Sequence, residues 1–159
     1  MRTLLSARNL SFVVLVFAIG VSGYLSYLKV SNVQPVCVEG GQFDCGVVLN
    51  SAYSELGGIP IAWLGLATNL IVLTLLVLEP RVEFLRYNGV ALVFGIVLFA
   101  FLFSVYLVYV QAAIIRAFCP WCLTHEALIT VLFGLSIWRL REWFGGEDDL
   151  ELQAQQVGD

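Results

Sequence analysis

Four cysteines carry the reactive chemistry of this chain: Cys37, Cys45, Cys119 and Cys122. The last two stand in the run Cys119-Pro120-Trp121-Cys122. Proline suits the first position of a helix, where its missing N–H would be unpaired anyway. The run therefore predicts Cys119 at a helix cap and Cys122 in the first turn. A helix N-terminus carries roughly half a positive charge. A thiolate there is stabilised and becomes a better leaving group and electron donor. Two intervening residues also permit a short, reducible disulfide, as thiol–disulfide exchange requires. Two other uses of the cysteines compete with a redox relay. One is a pair of static disulfides stapling a loop to a helix end. The other is a zinc site, but only one pair has metal-ligand spacing and no His lies near the other, so no metal is expected.

The elements that must position these cysteines are membrane helices. Apolar residues make up 60% of the chain and charged residues 13%, against about half and about a quarter in soluble domains. At 159 residues the chain is one domain by length, too small to hide that much apolar surface without lipid. A span needs about 20 apolar residues to cross a core of about 30 Å. Leu10–Leu28 and Ile59–Leu78 carry no charge, nor does the longer run Tyr87–Ile115. Pro120–Trp138 is the fourth run and holds His125 and Glu126 near its start. The expected architecture is an all-α integral membrane protein, a bundle of four transmembrane helices. Its spans are about 10–30, 59–78, 87–115 and 120–138, with an outer loop over 31–58. The membrane domain covers 1–145, and an acidic cytoplasmic tail covers 146–159. The tail carries much of the net charge of −4, through Glu147, Asp148, Asp149, Glu151 and Asp159, and that charge implies no nucleic-acid partner. The first span follows Arg2 and Arg8 as a cleaved signal would. However, it is long for one, and Tyr24, Tyr27 and Lys29 resemble an interfacial anchor, so it is expected to stay.

Basic residues orient the bundle. Arg2 and Arg8, Arg81 and Arg86, and Arg139 and Arg141 share one side of a four-span chain, leaving Lys29 and Arg116 on the other. Both termini are therefore expected in the cytoplasm of a cell-membrane protein, and all four cysteines on the outer, oxidising face. The outer loop is long for a structureless connection. A short helix lying on the membrane is expected within it, with Val47, Val48, Leu49, Tyr53 and Leu56 on its apolar side. The loop's charge is low, with Glu39, Asp44 and Glu55.

Taken together, these features resemble the vitamin K epoxide reductase family, and more narrowly its prokaryotic members. The features are Cys37 and Cys45 in the outer loop, Ser51 six residues on, Gly58-Ile59-Pro60 opening a span, and the Cys119–Cys122 motif opening the last one. The likeness runs from about Leu10 to Arg141. It implies a four-helix bundle around a quinone pocket at the outer end. It further implies that Cys119 and Cys122 are the active-site pair, with Cys122 nearer the quinone. Cys37 and Cys45 would be the shuttle pair, Cys45 forming a mixed disulfide with Cys119. Ser51 would lie near the quinone. The chain departs from the family at Glu126, where many members have Tyr, and at Ile61, where many have Asn. Many bacterial members carry a fused thioredoxin-like domain after the last span; the short tail here implies a separate thioredoxin-fold, DsbA-like partner.

Ionisable residues inside a span are costly and often functional. Glu126 lies one turn after Cys122 on the same helix face and suits delivery of a proton to a quinone; the alternative places it with His125 at the headgroups, wet and inert. Asn69 and Gln111 are polar within spans. Interhelical hydrogen bonding suits both, and Asn69 joins Ser51, His125 and Glu126 as a candidate quinone contact. The expected activity is thiol:quinone oxidoreduction, with a menaquinone- or ubiquinone-type acceptor, supporting disulfide formation in exported proteins. The DsbB family does similar chemistry, but there the Cys-x-x-Cys pair comes first in the chain, the reverse of the order here. A eukaryotic enzyme acting on vitamin K epoxide would share the fold; Pro-Trp between the active cysteines points to a prokaryotic protein.

Overall fold

The computed structural model describes the backbone of residues 2–31, 33, 36–37 and 43–157, and the side chains of 7–31, 33, 36–37 and 43–145. Glu39 and Asp159 lie outside the described residues, as do the side chains of Arg2, Glu147, Asp148, Asp149 and Glu151. The chain begins with helix α1 (Arg2–Ser31). A cap follows, made of α2 (Cys45–Leu49), one 3-10 turn (Ala52–Ser54), and a hairpin of β1 (Glu55–Leu56) and β2 (Ile59–Pro60). Then come α3 (Ile61–Leu78), α4 (Glu83–Tyr109), a π-helical extension (Val110–Ile115), and α5 (Pro120–Val157). Among the described residues four helices are long and apolar enough to cross a membrane: α1, α3, α4 and α5. The protein is an all-helical, multi-pass membrane bundle. Lipid offers no hydrogen bonds to the backbone, so a spanning segment must satisfy its own, and helices do.

The four helices close a ring in the order α1, α3, α4, α5. Each contributes to one core: Val14 and Leu15, Val72 and Leu76, Val93 and Val97, Leu132 and Leu135. Large side chains such as Phe17, Ile71, Phe99 and Val131 point outward, where lipid covers them. Buried serines need no partner on another helix. Ser11 donates to Ala7 O, Ser22 to Ala18 O and Ser26 to Ser22 O, each one turn back at 2.7–2.9 Å.

Element ends differ from the apolar runs in ways that follow from local chemistry. Ile59 and Pro60 pair with Leu56 and Glu55 in the hairpin and do not begin α3. Gly57 and Gly58 have φ of +61° and +85°, and a two-residue hairpin turn with positive φ at both positions favours glycine. Helix α4 starts at Glu83, before the apolar run at Tyr87, and α5 continues to Val157, past Trp138. Hydropathy marks the part of a helix that lipid covers; the helix itself can run on into water.

The cap is shorter than a membrane-lying helix. In α2, Val48 turns inward and is buried, while Val47 is about half exposed and Leu56 lies exposed beyond it. Asp44 caps α2, its Oδ1 accepting from Val47 N–H at 3.0 Å. Lys29 does more than anchor α1 at the interface. Its Nζ donates to Leu49 O at 3.1 Å, at the carbonyl end of α2, and pairs with Glu55 Oε1 at 3.1 Å. The cap is thus tied to the C-terminal end of α1.

At the opposite end, Arg139 is no free flanking charge. It is 3% exposed, and its Nη2 donates to both Glu79 carboxylate oxygens at 2.7 Å, joining α5 to the end of α3. Removing one partner of a buried pair leaves a charge uncompensated. We expect Arg139→Met to destabilise the bundle by about 3 kcal/mol, with Glu79→Gln in the same chain recovering most of it. Thermal unfolding of the purified protein in detergent reads both; an unaltered midpoint in the single variant would show that the pair does not hold α3 to α5.

Candidate functional site

Pro120 opens α5 and Cys119 precedes it, as the motif requires. Cys119 therefore occupies the cap position and Cys122 the third helical position. The Cys122 backbone N–H donates to Cys119 Sγ at 3.4 Å, the bond that a capping Ser or Asp would make with its oxygen. The Cys119 thiol is lowered to about 7. The hydrogen bond from the Cys122 side chain is the main cause, burial opposes it, and the backbone N–H groups of Cys122 and Trp121 assist. Both cysteines carry free thiols, and Cys37 and Cys45 are joined as a disulfide.

Three contacts bring the two pairs together. Phe43 and Phe118 form a parallel β-bridge, and Asp44 N–H donates to Phe118 O at 3.1 Å. The residues just before Cys45 and Cys119 are thereby stitched side by side. Third, Trp121 Nε1 donates to Val36 O at 3.1 Å, holding the residue before Cys37, while its ring packs 4.9 Å from that of Tyr24 on α1. The Trp inside the motif is thus a clamp on the segment that leads into Cys37. Cys45, Val48, Ala117 and Cys119 form one buried cluster, with Cys37, Trp121 and Cys122 packed against it. Exposure is graded along the four sulfurs: Cys37 is half-buried, Cys45 and Cys119 are 2% and 0% exposed, and Cys122 is half-buried on the wall of a cavity.

That cavity, of 290 Å3, lies inside the bundle beneath the cap. Its walls are mostly apolar, with Leu64, Phe99, Phe103, Leu107 and Ile129 among them. Phe99 is also strongly exposed on the lipid side, so this wall reaches the bilayer. Polar groups enter at a few points. Asn69 Nδ2 donates to His125 Nε2 at 3.0 Å, which places the ring proton on Nδ1. It also lies 3.4 Å from Ser22 Oγ. Glu126 is buried, with Ser104 of α4 beside its carboxyl. Ser51 lines the cavity from the cap and donates its hydroxyl to Val48 O at 2.8 Å, keeping lone pairs free. Gly65 faces His125, where a Cβ would stand 3.5 Å from Cε1.

The structure brings Cys122, Ser51, Asn69, His125 and Glu126 to one cavity. Glu126 is buried within the bundle, and His125 is half-buried on the same cavity. Gln111 has a more particular partner than a neighbouring helix: its Oε1 accepts from Cys119 N–H at 3.1 Å. Sequence reasoning did not single out Trp121, Ser104, Asp44 or the Phe43–Phe118 bridge. Asp44 alone left a signal, an acidic residue just ahead of a short apolar run. Among the described residues no three His, Cys, Asp or Glu side chains converge as a metal site would need.

Comparison with known proteins agrees with this geometry. The Vitamin K epoxide reductase family profile matches residues 9–137. A curated relative, the thiol-disulfide oxidoreductase LTO1 of Arabidopsis thaliana, is 32% identical over 121 residues, which is 73% of this chain. The chain spans 32% of that relative's length. With the profile running from the start of α1 to the last turns of the α5 span, and its motif cysteines gathered in one cluster, the chain belongs to the vitamin K epoxide reductase family.

Proposed function

We propose that the protein is a thiol–disulfide oxidoreductase that passes electrons from a thioredoxin-fold, DsbA-like protein to a membrane quinone of the menaquinone or ubiquinone type. Disulfide formation in exported proteins is the outcome. The observation that carries this reading is the graded path of the four sulfurs. An outside thiol meets Cys37 first. Cys45 and Cys119 share one buried cluster from which water is excluded. Cys122 opens onto the cavity. Static staples would need no such order.

Each exchange breaks one S–S bond and forms another through a thiolate. A partner thiolate attacks Cys37 and releases Cys45. Cys45 then attacks Cys119 of an oxidised Cys119–Cys122 pair and releases Cys122. The partner's second thiolate closes the partner's own disulfide and releases Cys37, and Cys37 attacks Cys45 and releases Cys119, which gives the state observed: Cys37–Cys45 joined, and thiols at Cys119 and Cys122. A quinone in the cavity supplies a two-electron, two-proton acceptor for those thiols, which close again to a disulfide. The residues present fit such a ring. The walls are apolar, and polar side chains reach in from two sides, Asn69 with His125 and Ser104 with Glu126. Ser51 supplies a further polar contact from the cap. Tyr and Asn, which many family members use, are replaced here by Glu126 and Ile61; we assign their work to Glu126 and to the Asn69–His125 pair.

The proposed orientation places both termini and the tail 146–159 in the cytoplasm and the cysteine cluster outside. Reporter fusions check it: one at Asp159 should be active inside the cell, one in the loop at Gly41 outside. The reverse pattern would remove the oxidising compartment and the mechanism with it.

Substituting Cys37 and Cys122 together should trap a Cys45–Cys119 disulfide, identified by peptide mapping. Finding Cys45 joined to neither Cys119 nor any other cysteine would contradict the relay order. Cys122→Ala alone should abolish thiol-dependent quinone reduction, measured by mixing reduced protein anaerobically with quinone; activity retained in that variant would favour static disulfides.

Glu126 lies one turn below Cys122 in a cavity closed by the cap, placed to hand a proton to a quinone oxygen. Glu126→Gln keeps the shape and cannot release a proton. Turnover should fall roughly tenfold or more, the low end of general-acid effects, while quinone still binds. An unchanged rate at neutral pH would remove Glu126 from the chemistry.

A further inference from the structure

The first residues of a helix leave backbone N–H groups without partners. In a capping box, the third helical residue reaches back to accept from the N–H of the cap residue, and is usually Glu or Gln. In α5 the third helical residue is Cys122, whose sulfur faces the cavity and is needed for exchange. It cannot serve as that acceptor. The Cys119 N–H is buried, and a buried N–H without a partner costs about 1–3 kcal/mol. Gln111 fills the gap from another helix. Its Oε1 accepts from Cys119 N–H at 3.1 Å, and both residues are buried. Gln111 reaches this position from the π-helical end of α4, which closes on Arg116 in the left-handed region at φ +56°. Such π turns are rare and cluster at functional sites, because the extra residue per turn re-aims the side chains beyond it.

We propose that Gln111 is a positioning residue for the thiol pair: it supplies, from α4, the missing half of the capping box, and so holds the Cys119 backbone with Sγ on the Cys122 N–H. This inference rests on Cys119 and Cys122 being the exchange pair. Without Gln111 the cap residue can turn away, the 3.4 Å contact between Cys122 N–H and Cys119 Sγ lengthens, and the Cys119 thiolate loses a donor. The titratable and charged side chains around Cys119 are Cys122 and, one turn on, Glu126 from α5; Arg116 in the preceding turn; Asp44 at the head of α2; and Tyr24, which reaches the motif through Trp121. Gln111 is uncharged, so replacing it changes geometry and leaves that set of charges as it is.

Gln111→Met is the test, since it keeps length and volume and removes the acceptor oxygen. The full chain is reduced and its thiolate ultraviolet absorbance titrated; the part lost in Cys119→Ser identifies Cys119. In the parent this thiol, lowered to about 7 by its hydrogen bonds, sets the reference midpoint. In Gln111→Met the midpoint should rise, with a roughly fivefold lower thiolate-to-thiol ratio at Cys119, the size of a lost helix cap. Hydrogen exchange at the Cys119 amide should quicken in the same variant, while the rest of α4 and α5 keeps the parent's protection. A midpoint and an exchange rate both unchanged would overturn the proposal. So would general loosening, with exchange quickened throughout α4 and α5, because Gln111 would then only pack. The titration uses no quinone, so failure of quinone reduction in the parent would count against the proposed function and leave this result readable.

Discussion

The hydrogen bond from Asp44 N–H to the Phe118 carbonyl, within the parallel bridge of Phe43 and Phe118, is the contact on which the rest of the site depends. Thiol exchange requires two sulfurs to approach within bonding range on a defined line. Here the sulfurs belong to a loop and to a helix end, far apart in the chain. The stitch sets the residues before Cys45 and Cys119 side by side, and the short helix α2 then carries Val48 down over the cavity. Lys29 and Trp121 secure the same cap at two further points, one from α1 and one from within the cysteine motif.

The bundle beneath is built to tolerate polar groups in lipid. A buried polar side chain costs free energy unless it is paired. Serines on α1 return their hydroxyls to their own helix, and Arg139 is neutralised by Glu79. Polar groups that are not used up in this way gather round the cavity: Asn69 with His125, Ser104 with Glu126, and Ser51. Their concentration in one place, in a protein that otherwise silences such groups, is what separates a site from an ordinary helix interface.

Membership of the vitamin K epoxide reductase family accounts for the bundle and the two cysteine pairs, while this chain has its own polar groups in the cavity. Among the described residues lining the cavity, Glu126 is the only carboxyl. A carboxyl can transfer protons near neutral pH when its surroundings permit.

Much of this was legible in one dimension because lipid imposes a one-dimensional rule. Every spanning segment must be apolar and helical, so Leu10–Leu28, Ile59–Leu78, Tyr87–Ile115 and Pro120–Trp138 mark themselves, and Cys119-Pro120 announces a helix start by the chemistry of proline alone. The sequence by itself determined four spans and the helix that presents Cys119 and Cys122. It did not determine helix rotation, because a helix surrounded by lipid and by other apolar helices shows little amphipathic periodicity. Whether Glu126 and His125 met lipid, headgroups or the bundle interior was decided only by packing, as was the partner of Gln111. The pairing of Phe43 with Phe118 was equally invisible, since a backbone bridge between distant segments leaves no residue pattern behind. Only the tertiary structure brought the cap onto the turn before α5 and left a cavity beneath it, because those contacts join groups separated along the chain and depend on the geometry of the folded backbone.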